Sequence, residues 1–101
     1  EAERIESVMR PGLDAIAARH DIVADVRGKG AMLAIELLDP TTKKPAADAV
    51  KAVQKYALHQ GVMFLTAGSF GNVLRFLPSL VMTDDQIREG LEVLDEALAS
   101  V

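Results

Sequence analysis

Cysteine and tryptophan are absent from this 101-residue sequence, and aromatic residues make up only 4% of it. Without cysteine there are no disulfides, no thiolate nucleophile and no cysteine-type zinc site, and a reducing, cytoplasmic setting is the expectation. Positive charge is scarce as well. Eleven Lys and Arg stand against fifteen Asp and Glu, for a net charge of −4 with no basic block. That balance argues against a nucleic acid or an anionic membrane as partner. An apolar h-region is missing from the N-terminus, which reads Glu1-Ala2-Glu3-Arg4, so no secretory signal is expected. Nor is there an unbroken membrane-spanning run. The stretch from Val62 to Thr83 is long enough, but Gly68, Gly71, Asn72, Arg75 and Pro78 interrupt it, so it reads as two strands and a loop.

What is present is a globular composition: half the residues are hydrophobic and 26% are charged. A chain of this size forms one domain over 1–101 and buries roughly 60–65% of its unfolded surface. Ile5, Val8, Met9, Leu13, Ile16 and Ala17 recur at helical spacing, so the first twenty residues form an amphipathic helix. Pro11 removes a donor in mid-helix, and a kink or a break is expected there. A start within a helix suits a fragment of a longer protein.

Ile22–Arg27 and Ala31–Leu38 read as a hairpin around Gly28-Lys29-Gly30, and 39–44 reads as a loop. Pro45 fits the first turn of a second helix, whose buried stripe is Val50, Val53 and Ala57 with Ala46 and Ala49, and which Gly61 ends. Val62–Thr66 and Val73–Leu77 are the next strands. The last helix has the sharpest start signal: Thr83 as N-cap, Gln86 three residues on, a Met82–Ile87 staple, and Asp84 and Asp85 on the positive end of the dipole. Its buried face is Ile87, Leu91, Leu94 and Leu98. The order α-β-β-α-β-β-α implies an α+β two-layer sandwich, antiparallel strands with helices on one face.

Arg75 is the one formal charge between Lys55 and Asp84, within Asn72-Val73-Leu74-Arg75-Phe76-Leu77-Pro78. A guanidinium is always charged, and in apolar surroundings it needs a carboxylate or phosphate on its fork. Three readings stay open: an internal ion pair with Glu36, a buried stem with a solvated head, or a bidentate clamp for a ligand carboxylate. The other candidates have plainer explanations. Gly28-Lys29-Gly30 leads into a strand and reads as a turn rather than an anion nest. His20 and His59 sit near helix ends with no second ligand at metal spacing. Asp84-Asp85 is helix-start charge and Ser69 has no neighbouring base. No lysine among Lys29, Lys43, Lys44, Lys51 and Lys55 lies in an apolar stretch that would suit it to Schiff-base chemistry. No self-contained catalytic or metal site is read.

Three segments carry a resemblance. Asp25-Val26-Arg27-Gly28-Lys29-Gly30-Ala31-Met32-Leu33-Ala34-Ile35-Glu36-Leu37 resembles the hairpin that opens the C-terminal small domain of class III aminotransferases, which use pyridoxal 5′-phosphate. Gly61 to Gly68 followed by Asn72–Pro78 resembles the segment bearing the family's substrate-carboxylate arginine. Leu80-Val81-Met82-Thr83-Asp84-Asp85-Gln86-Ile87 is similar to the start of its last helix. Together they cover nearly the whole chain in order and look most like the 4-aminobutyrate branch. One departure is Pro78-Ser79, where the family often has Pro-Pro.

The resemblance implies a small domain whose missing large domain holds the Schiff-base lysine and the cofactor. It also implies an amino transfer from an ω-amino acid such as 4-aminobutyrate to 2-oxoglutarate, in a homodimer when full length. Arg75 would hold the 2-oxoglutarate α-carboxylate, masked in the other half-reaction by a large-domain glutamate, and the isolated chain would be inactive. The alternatives are a regulatory domain that senses an amino acid at a dimer edge, and a scaffold domain with Arg75 paired internally.

Overall fold

In a computed structural model the described residues form three helices and one four-stranded sheet, in the order α1 (Ala2–Arg19), β1 (Val23–Lys29), β2 (Met32–Leu37), α2 (Ala47–His59), β3 (Leu65–Ala67), β4 (Val73–Phe76) and α3 (Asp84–Ala99). The structure describes residues 2–30, 32–59, 65–67, 71–76 and 83–101, with Ala2 and 65–67 described by backbone alone. Expectations for Gly61, Val62–Phe64, Gly68, Ser69, Leu77, Pro78-Ser79 and the Met82 staple lie outside the described residues. Every pairing is antiparallel, and the strands lie side by side as β1-β2-β4-β3. β4 is therefore inserted between β2 and β3, which run parallel to each other and are joined through α2. The expected α+β sandwich is the observed architecture.

One apolar core joins the sheet to the helices. Leu33, Ile35, Leu37, Leu74 and Phe76 from the sheet meet Ile5, Leu13 and Ile16 of α1, Val50 and Val53 of α2, and Ile87, Leu94 and Leu98 of α3. A strand's side chains alternate between faces. So Leu33, Ile35 and Leu37 point at the helices while Met32, Ala34 and Glu36 point away, as their exposure follows. In β1, Val23 and Val26 both belong to the helix side though three residues apart. The chain achieves this with a register shift between Val23 and Asp25, a bulge that consumes one residue. Beyond it Val26 pairs with Ile35 on the helix side, and Asp25 and Arg27 pair with Glu36 and Ala34 on the open side.

Four local expectations are corrected. Helix α1 runs unbroken through Pro11. The buried stripe of Ile5, Met9, Leu13 and Ile16 lies on both sides of the proline, and its packing outweighs the one backbone bond that the ring removes. Gly28 and Lys29 belong to β1, because Lys29 pairs with Met32, and of the expected turn residues only Gly30 lies in the turn. Glu6 and Arg10 of α1 hold this hairpin: Gly30 N donates to Glu6 Oε1 at 2.5 Å, and Arg10 donates to the carbonyls of Val26 (3.1 Å) and Gly28 (3.3 Å). Pro45 precedes α2 and makes an isolated bridge with Leu38. Leu91 is half-buried rather than core; it packs on Gly12, where an added Cβ would lie 2.5 Å from its Cδ1.

The capping box of α3 is present in full. Thr83 Oγ1 accepts from Gln86 N at 3.1 Å, and Thr83 N donates to Gln86 Oε1 at 2.9 Å. Arg4 donates to Asp84, so that helix-start carboxylate also ties α3 to α1.

His20, at the end of α1, reaches across to α3 instead of lying against its own helix end: its Nε2 is 2.7 Å from Asp95 Oδ1, with Arg19 Nη2 3.2 Å from the other oxygen. The His20 hydrogen bond, and after it the Arg19 contacts, hold the Asp95 carboxyl below the usual carboxylate range. A depressed carboxyl stabilises the fold above its unfolded value, and that contribution is lost as pH falls through the folded value. Asp95→Asn should therefore flatten the stability-against-pH curve below about pH 4. Solvent screening keeps the effect small, and it is read from thermal midpoints across an acid series. An unchanged acid limb would place the stabilisation elsewhere.

Candidate functional site

The open face of the sheet gathers the chain's strand charges. Arg27 on β1, Ala34 on β2, Arg75 on β4 and Leu65 on β3 occupy one row of register, and Asp25, Glu36, Val73 and Ala67 occupy the next. Arg75 is exposed, between the buried Leu74 and Phe76. Its apolar sequence neighbours face the helices while it faces away, so within this chain the guanidinium is not desolvated. That corrects the expectation drawn from its surroundings in sequence. Of the three open readings, the internal ion pair with Glu36 is not the one found: Glu36 Oε1 lies 3.8 Å from Arg27 Nη1, and the same nitrogen lies 3.3 Å from Asp25 Oδ2. Among the described residues no carboxylate forms an ion pair with Arg75.

The strand that presents Arg75 is set by a residue the sequence reading did not single out. Asn72 is the one buried polar residue among those described, 2% exposed. Its Nδ2 donates to Leu37 O at 3.2 Å, and Leu37 N donates to Asn72 O at 2.9 Å. Leu37 O also accepts from Ala46 N at 3.1 Å, so one carbonyl joins the end of β2, the approach to α2 and the approach to β4. A buried amide must find partners, and these fix where β4 begins. With that start fixed, alternation puts Arg75 on the open face three residues on.

The class III aminotransferase profile (Aminotransferase class-III) matches residues 1–98. The chain belongs to the class III aminotransferase family. It is 38% identical over 97 residues to the 4-aminobutyrate aminotransferase of Mycobacterium leprae (strain TN), a match covering 96% of this chain and 22% of that protein. It is 40% identical over 98 residues to the 5-aminovalerate aminotransferase of Pseudomonas aeruginosa, covering 93% and 23%. Among solved structures, a phospholyase from Arthrobacter in complex with phosphoethanolamine superposes with a TM-score of 0.95 at 28% identity, over all of this chain and 24% of that one. The chain thus spans between a fifth and a quarter of the length of these relatives.

For a class III aminotransferase segment the cofactor question has a direct answer. The family implies pyridoxal 5′-phosphate, which requires a lysine for the imine. All five lysines here, Lys29, Lys43, Lys44, Lys51 and Lys55, are exposed on strand, loop or helix surfaces. Imine chemistry calls for a lysine set in a desolvated pocket, and none of the five is so placed, so the described residues do not fit the group. Asp39 is likewise occupied: it accepts from Thr41 N and Thr42 N, both at 2.9 Å. Those backbone bonds, Thr42's first, hold its carboxyl below the usual range. No group of three or more His, Asp or Glu among the described residues is placed to hold a metal ion, and no described helix is long and apolar enough to cross a membrane.

If the Asn72 amide fixes the aminotransferase segment's β4, its replacements should rank by chemistry. Asn72→Ala removes one donor from a carbonyl that keeps Ala46 N, and should cost about 1 kcal/mol. Asn72→Asp sets a carboxylate against that carbonyl in a buried place and should cost about 3 kcal/mol. Urea denaturation midpoints read both, and equal costs would show that the amide makes no directed bond.

Proposed function

We propose that this chain is the C-terminal small domain of an ω-amino acid:2-oxo acid transaminase, with Arg75 as the residue that grips the carboxylate beside the acceptor carbon of 2-oxoglutarate. The observation that carries it is Arg75 itself: a strand arginine on the open sheet face, its register set by Asn72, with no carboxylate of its own among the described residues. Two relatives of about 40% identity are named for 4-aminobutyrate and 5-aminovalerate, both ω-amino acids, which supports that donor class. The phospholyase shares the fold as well, so the small domain's shape does not by itself dictate amino transfer.

In this reading the chain binds and orients. A guanidinium offers two parallel donors to a planar carboxylate and so fixes direction as well as position. Pyridoxal 5′-phosphate supplies the amino-carrying chemistry and is held by a large domain outside this chain. The full-length enzyme works as a homodimer in the cytoplasm, and the isolated chain does not turn over. Family membership favours this over the amino-acid-sensing domain.

A coupled assay of the full-length enzyme tests it: 4-aminobutyrate or 5-aminovalerate with 2-oxoglutarate should yield glutamate, and the 101-residue chain alone should yield none. Saturable binding of a free amino acid to the isolated chain by calorimetry, with no glutamate from the full-length enzyme, would favour the sensing domain instead.

A further inference from the structure

We infer that Arg27 is a positioning residue that keeps Arg75 open by holding Glu36 away from it; this rests on Arg75 being the carboxylate-binding residue. Glu36 sits on β2 between the two arginine-bearing strands. Its partners in register are Asp25 on β1 and Val73 on β4, which makes Arg27 and Arg75 its diagonal neighbours, one on each side. Diagonal neighbours on one face lie about 7–8 Å apart, within reach of long side chains. The same carboxylate can therefore pair with either guanidinium.

The structure shows which it takes. Arg27 Nη1 lies 3.3 Å from Asp25 Oδ2 and 3.8 Å from Glu36 Oε1. The β1 bulge has placed Asp25 directly opposite Glu36, and two like charges in that position repel. One cation shared between them relieves the repulsion, so Arg27 is the better partner for Glu36 than Arg75, which has no second carboxylate to bridge. Remove Arg27 and that preference reverses: Asp25 pushes Glu36 away, and the cation on its other side among the described residues is Arg75. A carboxylate built into the chain then competes with an incoming one for the same fork.

The Arg27–Glu36 contact is long and joins an exposed guanidinium to a half-buried carboxylate, so the effect of losing it is modest and specific. In the full-length enzyme, Arg27→Met should raise KM for 2-oxoglutarate about two- to fivefold, the factor that a surface ion pair carries. Arg27→Lys keeps the cation and should stay near the parent value. The double variant Arg27→Met/Glu36→Gln should return KM to the parent value, a rescue that a general loosening of the hairpin would not allow. The crystal structure of Arg27→Met should show the Glu36 carboxylate moved to salt-bridge distance from Arg75. An unchanged KM in Arg27→Met, a rise that Glu36→Gln does not reverse, or a Glu36 that stays on the β1 side would overturn the inference. An Arg75→Lys variant with unaltered KM would instead remove the reading beneath it, so the two failures are told apart.

Discussion

Replacing Arg75 by lysine in the full-length enzyme should raise KM for 2-oxoglutarate by about tenfold or more, and move KM for the amino donor far less. Lysine keeps the charge but loses the planar fork, so the difference measures paired hydrogen bonding rather than net charge. Hydrogen bonds to a charged group contribute about 1.5–3 kcal/mol each where water is excluded, and about 1.4 kcal/mol is tenfold. The magnitude is informative because Arg75 is exposed in this chain. An ion pair left on an open surface is worth about 0–1 kcal/mol, which limits the change to roughly fivefold. A tenfold effect therefore requires that the complete enzyme encloses the open face around Arg75. A change of threefold or less would mean a solvated contact, and no change at all would take Arg75 out of the site.

The same residue shows where reading along a sequence succeeds and where it fails. Helix α3 was legible because its signal is local: Thr83, Gln86 and the first-turn aspartates lie within one turn, and the capping box forms as those residues dictate. The hairpin and the buried stripes of α1 and α2 were legible for the same reason, since periodicity needs no knowledge of the partner. The setting of Arg75 is not legible along the chain, and its three readings stay open there, because residues adjacent in a strand point to opposite faces. Leu74 and Phe76 say nothing about what surrounds the residue between them.

The pairing of Glu36 is not legible along the chain because it depends on a bulge in the neighbouring strand β1. Val23 and Val26 cannot both face the core at a period of two, a conflict visible in the sequence, yet its resolution decides that Arg27 is the cation Glu36 meets. Asn72 looked like a loop residue; only the inserted order β2-β4-β3 brings it against Leu37. Pro11 does not interrupt α1 because the helix cost of proline is set against coil, whereas here the apolar stripe packs on both sides of it.

Gly28→Ala should be the most damaging single-methyl change to the sheet. Gly28 pairs with Leu33 near the tip of the hairpin at φ 116°, a backbone conformation in which an L side chain is strained. A Cβ there would lie 2.0 Å from Met32 O and 2.9 Å from Leu33 Cα. Both atoms are backbone and cannot rotate aside, so the strand ends must part or Gly28 must leave its conformation. Either response loosens the contacts that Arg10 and Glu6 make with this hairpin, and backbone strain of this kind costs about 1–3 kcal/mol before the clash is added. The expected loss is about 2–4 kcal/mol, a large share of a small domain's stability. Gly90 on α3 is the matched control, since an added Cβ there meets nothing within 4 Å, and Gly90→Ala should stabilise slightly through helix propensity. Denaturation midpoints for the two variants should move in opposite directions. If Gly28→Ala unfolds with the parent's midpoint, the hairpin does not require its glycine and the placement of Arg27 and Glu36 across it loses its structural basis.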